Sequence, residues 1–195
     1  MKNKSLLLIA LLVATIFSCD DDDNDPVNNV CENNYVSDAI VTAFATANGF
    51  NAIYPMDLET HEYTIMINAN GEICSIGYKN SPTYAGSYNM EIINVTSGNS
   101  YSGSHSFSQT NLDYQTITPT ISVATGDVIN VKRTIEPGYT PLLDEIGDAI
   151  ASSNPTISFP IVEGNVTFLG SDFYGGGGPV TDYAMPIIGL GFKVN

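Results

Sequence analysis

Tryptophan is absent, histidine occurs only at positions 61 and 105, cysteine only at 19, 31 and 74, and six lysines and arginines stand against 21 aspartates and glutamates. Each scarcity excludes something. Nucleic acid is not expected as a partner, because phosphate contacts need clustered lysines and arginines and the chain carries a net charge of −15. A structural zinc site lacks its ligand set. Nucleophilic catalysis needs a base beside the nucleophile. His61 sits between Thr60 and Glu62 at the start of a strand pattern, and His105 lies in the alternating stretch YSGSHSFSQ. Neither belongs to a nucleophile elbow, and both read as strand residues. Glycoside hydrolysis asks only for two carboxylates, and with this many acids some pair falls at the right separation by chance. Asp144 and Asp148 share a face at helical spacing, but Asp144 suits a positive helix start and both read as solvent-facing. The sequence therefore points away from an enzyme. No cofactor is expected. Calcium, held by Asp127, Asp172 or Asp182 in turns, is the one metal the pattern admits, and no EF-hand spacing supports it.

What is present begins with Lys2 and Lys4, an apolar or small-residue run over 6–17, Ser18, Cys19, and then four aspartates, Asp20 to Asp23. The run is a secretory signal, too short to rest as a permanent membrane span. Cleavage before Cys19 would free an amine and a thiol that both accept acyl chains. The stretch Ile16-Phe17-Ser18-Cys19 resembles the lipobox of bacterial lipoproteins, and the aspartates that follow resemble the export signal of surface-displayed lipoproteins in the Bacteroidetes. The resemblance implies an outer-membrane lipoprotein exposed at the cell surface and anchored through Cys19. Two or three acyl chains hold durably where one does not, at roughly 0.8 kcal/mol per buried methylene. The like-charge run cannot pack and reads as a tether. The expected domains are a signal peptide over 1–18, a lipidated acidic tether over 19–29 and a folded domain over 30–195, long enough for one sizeable core. Outside the cytoplasm disulfides persist. A Cys31–Cys74 bridge would close a loop of roughly 43 residues and contribute about 3–4 kcal/mol; two separate buried thiols are the alternative.

The folded part reads mostly in period two. Tyr63, Ile65 and Ile67 alternate with polar partners, Asn70-Gly71 follows, and 73–78 runs back, which predicts a hairpin. Further strands are expected over 87–95, 100–109, 114–121, 128–135, 156–161, 165–170 and 186–194. In the last, Ile188, Leu190, Phe192 and Val194 share a core face, with Gly189, Gly191 and Lys193 on a bare one. Turn clusters at 96–99, 124–127 and 136–138 separate them. Thr140-Pro141 followed by Leu142, Leu143, Ile146 and Ile150 predicts a helix over 141–151. Val36, Ile40, Val41 and Phe44 suggest another near the start. The fold class is all-β: an antiparallel, jelly-roll-like β-sandwich with one or two short helical insertions.

The order ICSIGYKN, then YNMEIINVTSG, then DYQTITPTISVATGDVINVKRTI, closed by FYGGGGPVTDYAMPIIGLGFKV, is similar to a bacterial jelly-roll domain of unknown function found in secreted and cell-wall proteins, often beside carbohydrate-active modules. The resemblance spans about 62–195 and implies a fold and a surface context. It supplies no catalytic residues. On the residues themselves, Asp172-Phe173-Tyr174 precedes four glycines that expose backbone to a ligand, and no GK[ST] follows to make a phosphate loop. Tyr174, Tyr183, Tyr84 and Tyr101, with Asp172 and Asp182, are the candidate ligand contacts, since sugars are met by aromatic faces backed by acids and amides. The expected function is a lipid-anchored, non-catalytic surface module binding glycan. The alternative is a structural or adhesin-like subunit whose sheet edge takes a partner strand.

Overall fold

Alternation survives where one strand face meets the core and the other meets water, and it is lost where both faces are covered. The strands of this protein sort by that rule. The structure, a computed structural model, describes residues 30–53, 59–136, 148–154, 156–175 and 178–195. The expected signal segment and acidic tether, with Cys19, lie outside the described residues. So does most of the helix expected over 141–151.

The elements are α1 (Tyr35–Ala43), then β1 (Phe50–Ile53), β2 (Thr60–Ile67), β3 (Gly71–Tyr78), β4 (Tyr88–Asn94), β5 (Ser100–His105), β6 (Asp113–Val123) and β7 (Asp127–Ile135). After them come β8 (Ala149–Ser152), β9 (Ile161–Glu163), β10 (Val166–Tyr174), β11 (Val180–Thr181), β12 (Ala184–Pro186) and β13 (Gly189–Val194). A seven-stranded sheet runs β11-β10-β2-β7-β4-β5, with β9 also paired to β10. Across the core lie two three-stranded sheets, β13-β3-β6 and β1-β8-β12. Every pairing is antiparallel. The expected all-β antiparallel sandwich is the fold.

In the large sheet the period-two pattern is clean. β2 buries His61, Tyr63, Ile65 and Ile67, β7 buries Ile129, Val131 and Arg133, and β4 buries Tyr88, Met90, Ile92 and Asn94. Ile73, Ile76, Leu190 and Phe192 come down on them from β3 and β13. Each fully buried aliphatic or aromatic side chain contributes roughly 1.5–3 kcal/mol. The Ala149, Ala151 and Ala184 side of β8 and β12 covers Phe173 of β10.

Three expectations are corrected. β2 and β3 do not form a hairpin: β2 pairs with β10 and β7, and β3 with β13 and β6. The short link at Asn68 to Asn70 crosses between layers. It is tied down by Asn68 N donating to Asn165 O at 2.8 Å and Asn195 N to Asn70 O at 3.0 Å. β3 is buried along almost its whole length, as suits a strand central in its sheet with both faces covered. Second, the end of the helix expected over 141–151 is instead β8, clamped between β1 and β12; tertiary pairing overrides the helical spacing of Ile150. Third, 156–160 is not a strand. Ile157 N donates to Asp182 O at 2.6 Å, the Phe159-Pro160 peptide follows, and pairing starts only at Ile161.

The lateral gaps of the sandwich are closed differently. On one side α1 fits between the layers: Phe44 meets Phe168 of β10 at 5.1 Å and Tyr35 meets Phe192 of β13 at 4.9 Å. The segment before α1 is held by a Cys31–Cys74 disulfide and a backbone bridge between Glu32 and Phe192. On the other side β5 is tied to β6 by His105 Nδ1 and Gln115 Oε1 at 2.8 Å.

The face of β13 expected to be bare is covered. Tyr114 of β6 is in register with Gly77 of β3, which is in register with Gly189 of β13. A Cβ on Gly77 would lie 2.4 Å from the Tyr114 ring and one on Gly189 2.7 Å from its hydroxyl. The ring therefore lies flat across both glycines and reaches Ser37 of α1, 2.5 Å away.

Candidate functional site

The two ends of the sandwich differ in chemistry. One end, where β2, β4 and β6 finish, is closed by short turns. Gly98 and Gly126 there take the left-handed conformation that a bare α-carbon allows, with φ of 81° and 88°. Asn94, fully buried, donates to Asp127 Oδ2 at 2.8 Å and to Ser122 O at 3.0 Å, and accepts from Thr96 N and Ser97 N at 3.1 Å. Asp127 also accepts from Ala124 N at 2.9 Å. That carboxylate serves its turn. Among the described residues no group of three or more His, Cys, Asp or Glu is placed to hold a metal ion.

The opposite end gathers the longer connections, β3 to β4 and β5 to β6, together with Asp148 at the entry to β8, Ile187 after β12 and Gly175 after β10. A scaffold that is rigid at one end and loop-rich at the other presents function at the second. Two features stand there.

The first is on the outer face of the large sheet. Register aligns Asp172 with Glu62, Glu62 with Lys132, Lys132 with Glu91, and Glu91 with Ser102, one row across five strands. Lys132 pairs with Glu91, and Asn130 donates to Glu62 Oε1 at 2.7 Å. Tyr174 ends the next row beside Thr60 and Thr134, whose hydroxyls lie 3.2 Å apart. Its phenol is pushed above the ordinary range, first by desolvation against the sheet and then by the carboxylates of Glu62 and Asp172, with the Lys132 ammonium pulling the other way. One aromatic ring thus stands beside donors and acceptors of both charges.

The second feature is a pocket of about 300 Å³ where Lys79, Thr110, Asn111, Leu112, Asp148 and Ile187 converge. The Lys79 and Asp148 side chains pair at 2.6 Å, each a little over a quarter exposed.

The candidate residues from the sequence are only partly assembled. Tyr174 and Asp172 come together, joined by Glu62 and Lys132, which sequence patterning missed. Period two was the available signal, since Glu62 and Lys132 sit on the solvent side of their strands. Tyr183 is exposed in the turn before β12. Asp182, at a φ of 56°, accepts from Ser171 N at 3.1 Å through its side chain and so braces the β10 irregularity at Gly170. Tyr84 turns inward, edge-on to Tyr88 at 5.1 Å, and donates to Ser87 O at 2.9 Å. Tyr101 also packs against the core from β5, its hydroxyl 2.7 Å from His105 Nε2. Strand spacing puts β5 roughly 19 Å from β10, so Tyr101 is no neighbour of Tyr174. Asp144 lies outside the described residues, as do Gly176 and Gly177 of the glycine run.

Beneath these features lies charge that the sequence did not flag as core. Arg133 is fully buried, its guanidinium 4.8 Å from the Tyr88 ring centre and 5.6 Å from that of Tyr78. His61, its register partner, is fully buried against Phe173 at 4.6 Å, and among the described residues neither ring nitrogen has a hydrogen-bond partner. Burial, reinforced by the Arg133 charge, holds its pKa well below the usual value.

Fold and site together define an antiparallel β-sandwich with a polar, loop-rich end bearing an aromatic patch and a shallow pocket. The chain matches no protein-family model and no curated protein.

Proposed function

We propose that this protein is a lipoprotein of the bacterial outer membrane, anchored through acylated Cys19 and displayed at the cell surface, whose sandwich domain binds glycan without turning it over. The observation that carries the binding half is the outer-face patch of Tyr174 with Asp172, Glu62, Lys132 and Asn130. An aromatic face covers the C–H side of a sugar ring, while carboxylates accept from its hydroxyls and the ammonium and amide donate to them. The sequence supports the anchor through its apolar run, Cys19 and the aspartates that follow.

Two measurements test the two halves separately. Labelling cells with a palmitate analogue is expected to mark the wild-type chain and not Cys19→Ala, which should appear in the medium. On a glycan array the full chain is expected to retain a defined set of structures, and Tyr174→Ala to lose them by tenfold or more. An unlabelled wild-type chain removes the anchor; a silent array removes the glycan. Cross-linking on intact cells that captures one defined protein, with no glycan retained, would replace binding with the adhesin-like role in a surface assembly.

A further inference from the structure

The pocket at Lys79 and Asp148 is built by four chain segments that do not depend on a ligand to meet. Ile187 N donates to Asp148 O at 3.1 Å, Asn80 N to Ser108 O at 2.9 Å, and Gln109 Nε2 to Ser81 O and Pro82 O at 3.0 and 2.9 Å. The first bond fixes the start of β8 to the link before β13, the others fix the exit from β3 to the β5–β6 loop, and the Lys79–Asp148 pair joins the two halves. Preformed walls are what a small-molecule site needs.

The lining then selects the occupant. One ammonium faces one carboxylate, so the paired charge is balanced in a chain whose net charge is −15. The lysine retains donors and the aspartate retains lone pairs beyond the bond they share, which places spare donor and acceptor side by side. Thr110 and Asn111 add a hydroxyl and an amide, and Leu112 and Ile187 add an apolar surface. A ligand carboxylate would meet Asp148 beside Lys79 and a ligand ammonium would meet Lys79 beside Asp148, so neither net charge gains from the pair. A ring with hydroxyls at its edge and C–H bonds on its face is opposed by nothing. The volume corresponds to on the order of ten waters at roughly 30 Å³ each, enough for one ring and not for several.

We infer that this pocket is a subsite for a single neutral sugar unit at the end of a chain, distinct from the Tyr174 patch. The inference deepens the glycan-binding reading and rests on it.

The test uses the full chain in a sugar-free zwitterionic detergent, titrated by ligand-observed NMR with glucose, galactose, mannose, N-acetylglucosamine, glucuronate and glucosamine. At least one neutral sugar is expected to bind with a millimolar dissociation constant. Asp148→Asn and Asn111→Ala should each weaken it about tenfold, and Tyr174→Ala by less than about twofold. Asn111 is exposed in its loop, so its variant reports on the pocket even if Asp148→Asn disturbs folding. Preference for glucuronate or glucosamine, unchanged affinity in Asn111→Ala, or no binding up to about 100 mM overturns the inference. If the array retains oligosaccharides while free sugars fail, the subsite falls and the glycan-binding reading stands. If both are silent, both fall.

Discussion

At the scale of single residues, the most informative side chain is one that costs stability. His61 is sealed in the core with two unpartnered ring nitrogens and a guanidinium across the strand pair. Its folded-state pKa lies well below the usual value, while the unfolded chain titrates near about 6.5. As pH falls through that region the unfolded state takes up the proton first. Stability is therefore full above about pH 6.5 and declines below it, at up to about 1.4 kcal/mol per pH unit from this group. His61→Leu removes both the orphaned nitrogens and the linkage. Its denaturant midpoint is expected to match or exceed wild type at pH 7.5, and the gap in its favour should widen at pH 5.5. A wild-type curve that parallels the variant between those values would show that His61 takes no part. Tyr114 offers a second test at this scale. Gly77→Ala places a methyl inside the Tyr114 ring and should cost about 1–3 kcal/mol. In Tyr114→Ala the same glycine substitution should cost much less, so a double-mutant cycle is expected to show coupling of about 1 kcal/mol or more.

Secondary-structure elements were legible in the sequence to the extent that their own neighbours determined them. The alternation of Tyr63, Ile65 and Ile67, or of Ile129, Val131 and Arg133, follows from one sheet face meeting the core, and a strand carries that in its own residues. Which strand lies beside which is not carried there. Asn70-Gly71 has the residues of a hairpin turn, yet the same spacing lets β2 and β3 enter opposite layers with their isoleucines facing one core. The last part of the expected 141–151 helix fails for a related reason. Ala149 and Ala151 are small enough to lie on Phe173, and pairing with β1 and β12 supplies the backbone bonds that a helix would have. The site was legible in half: Tyr174 and Asp172 are neighbours in sequence, whereas Glu62 and Lys132 reach them only through register. The disulfide was left open by the sequence and is formed. It joins the segment before α1 to β3, and its separation of 43 residues gives about 3–4 kcal/mol in the chain-entropy picture. The Cys31→Ser, Cys74→Ser double variant should lose stability of that size, read as a lowered urea midpoint. The reductant that shifts wild type should leave the variant unmoved.

For the whole molecule, the asymmetry between the two ends implies a division of labour. The short-turn end holds buried polar groups that are fully engaged: Asn94 alone makes two donated and two accepted hydrogen bonds with no exposure of its own. Truncating it removes one of the two donors to Asp127 Oδ2, the donor to Ser122 O and the acceptor of Thr96 N and Ser97 N, and each hydrogen bond lost costs about 0.5–1.5 kcal/mol. The loop-rich end carries Tyr174 on a solvent-facing row, where truncation changes stability by only about 0.5 kcal/mol. Asn94→Ala is therefore expected to lower the melting temperature by several degrees or more while the folded fraction keeps wild-type glycan retention. Tyr174→Ala should melt like wild type and lose retention. The reverse pattern would place the ligand at the short-turn end. Loss of both properties in both variants would mean that the ends are coupled through the core. The physical basis for expecting independence is the two-layer interior between them, in which Ile65, Ile92, Val131, Ile76 and Leu190 are fully buried and close-packed. A packed interior of this kind absorbs a lost surface contact at one end without moving the strand register that sets the other.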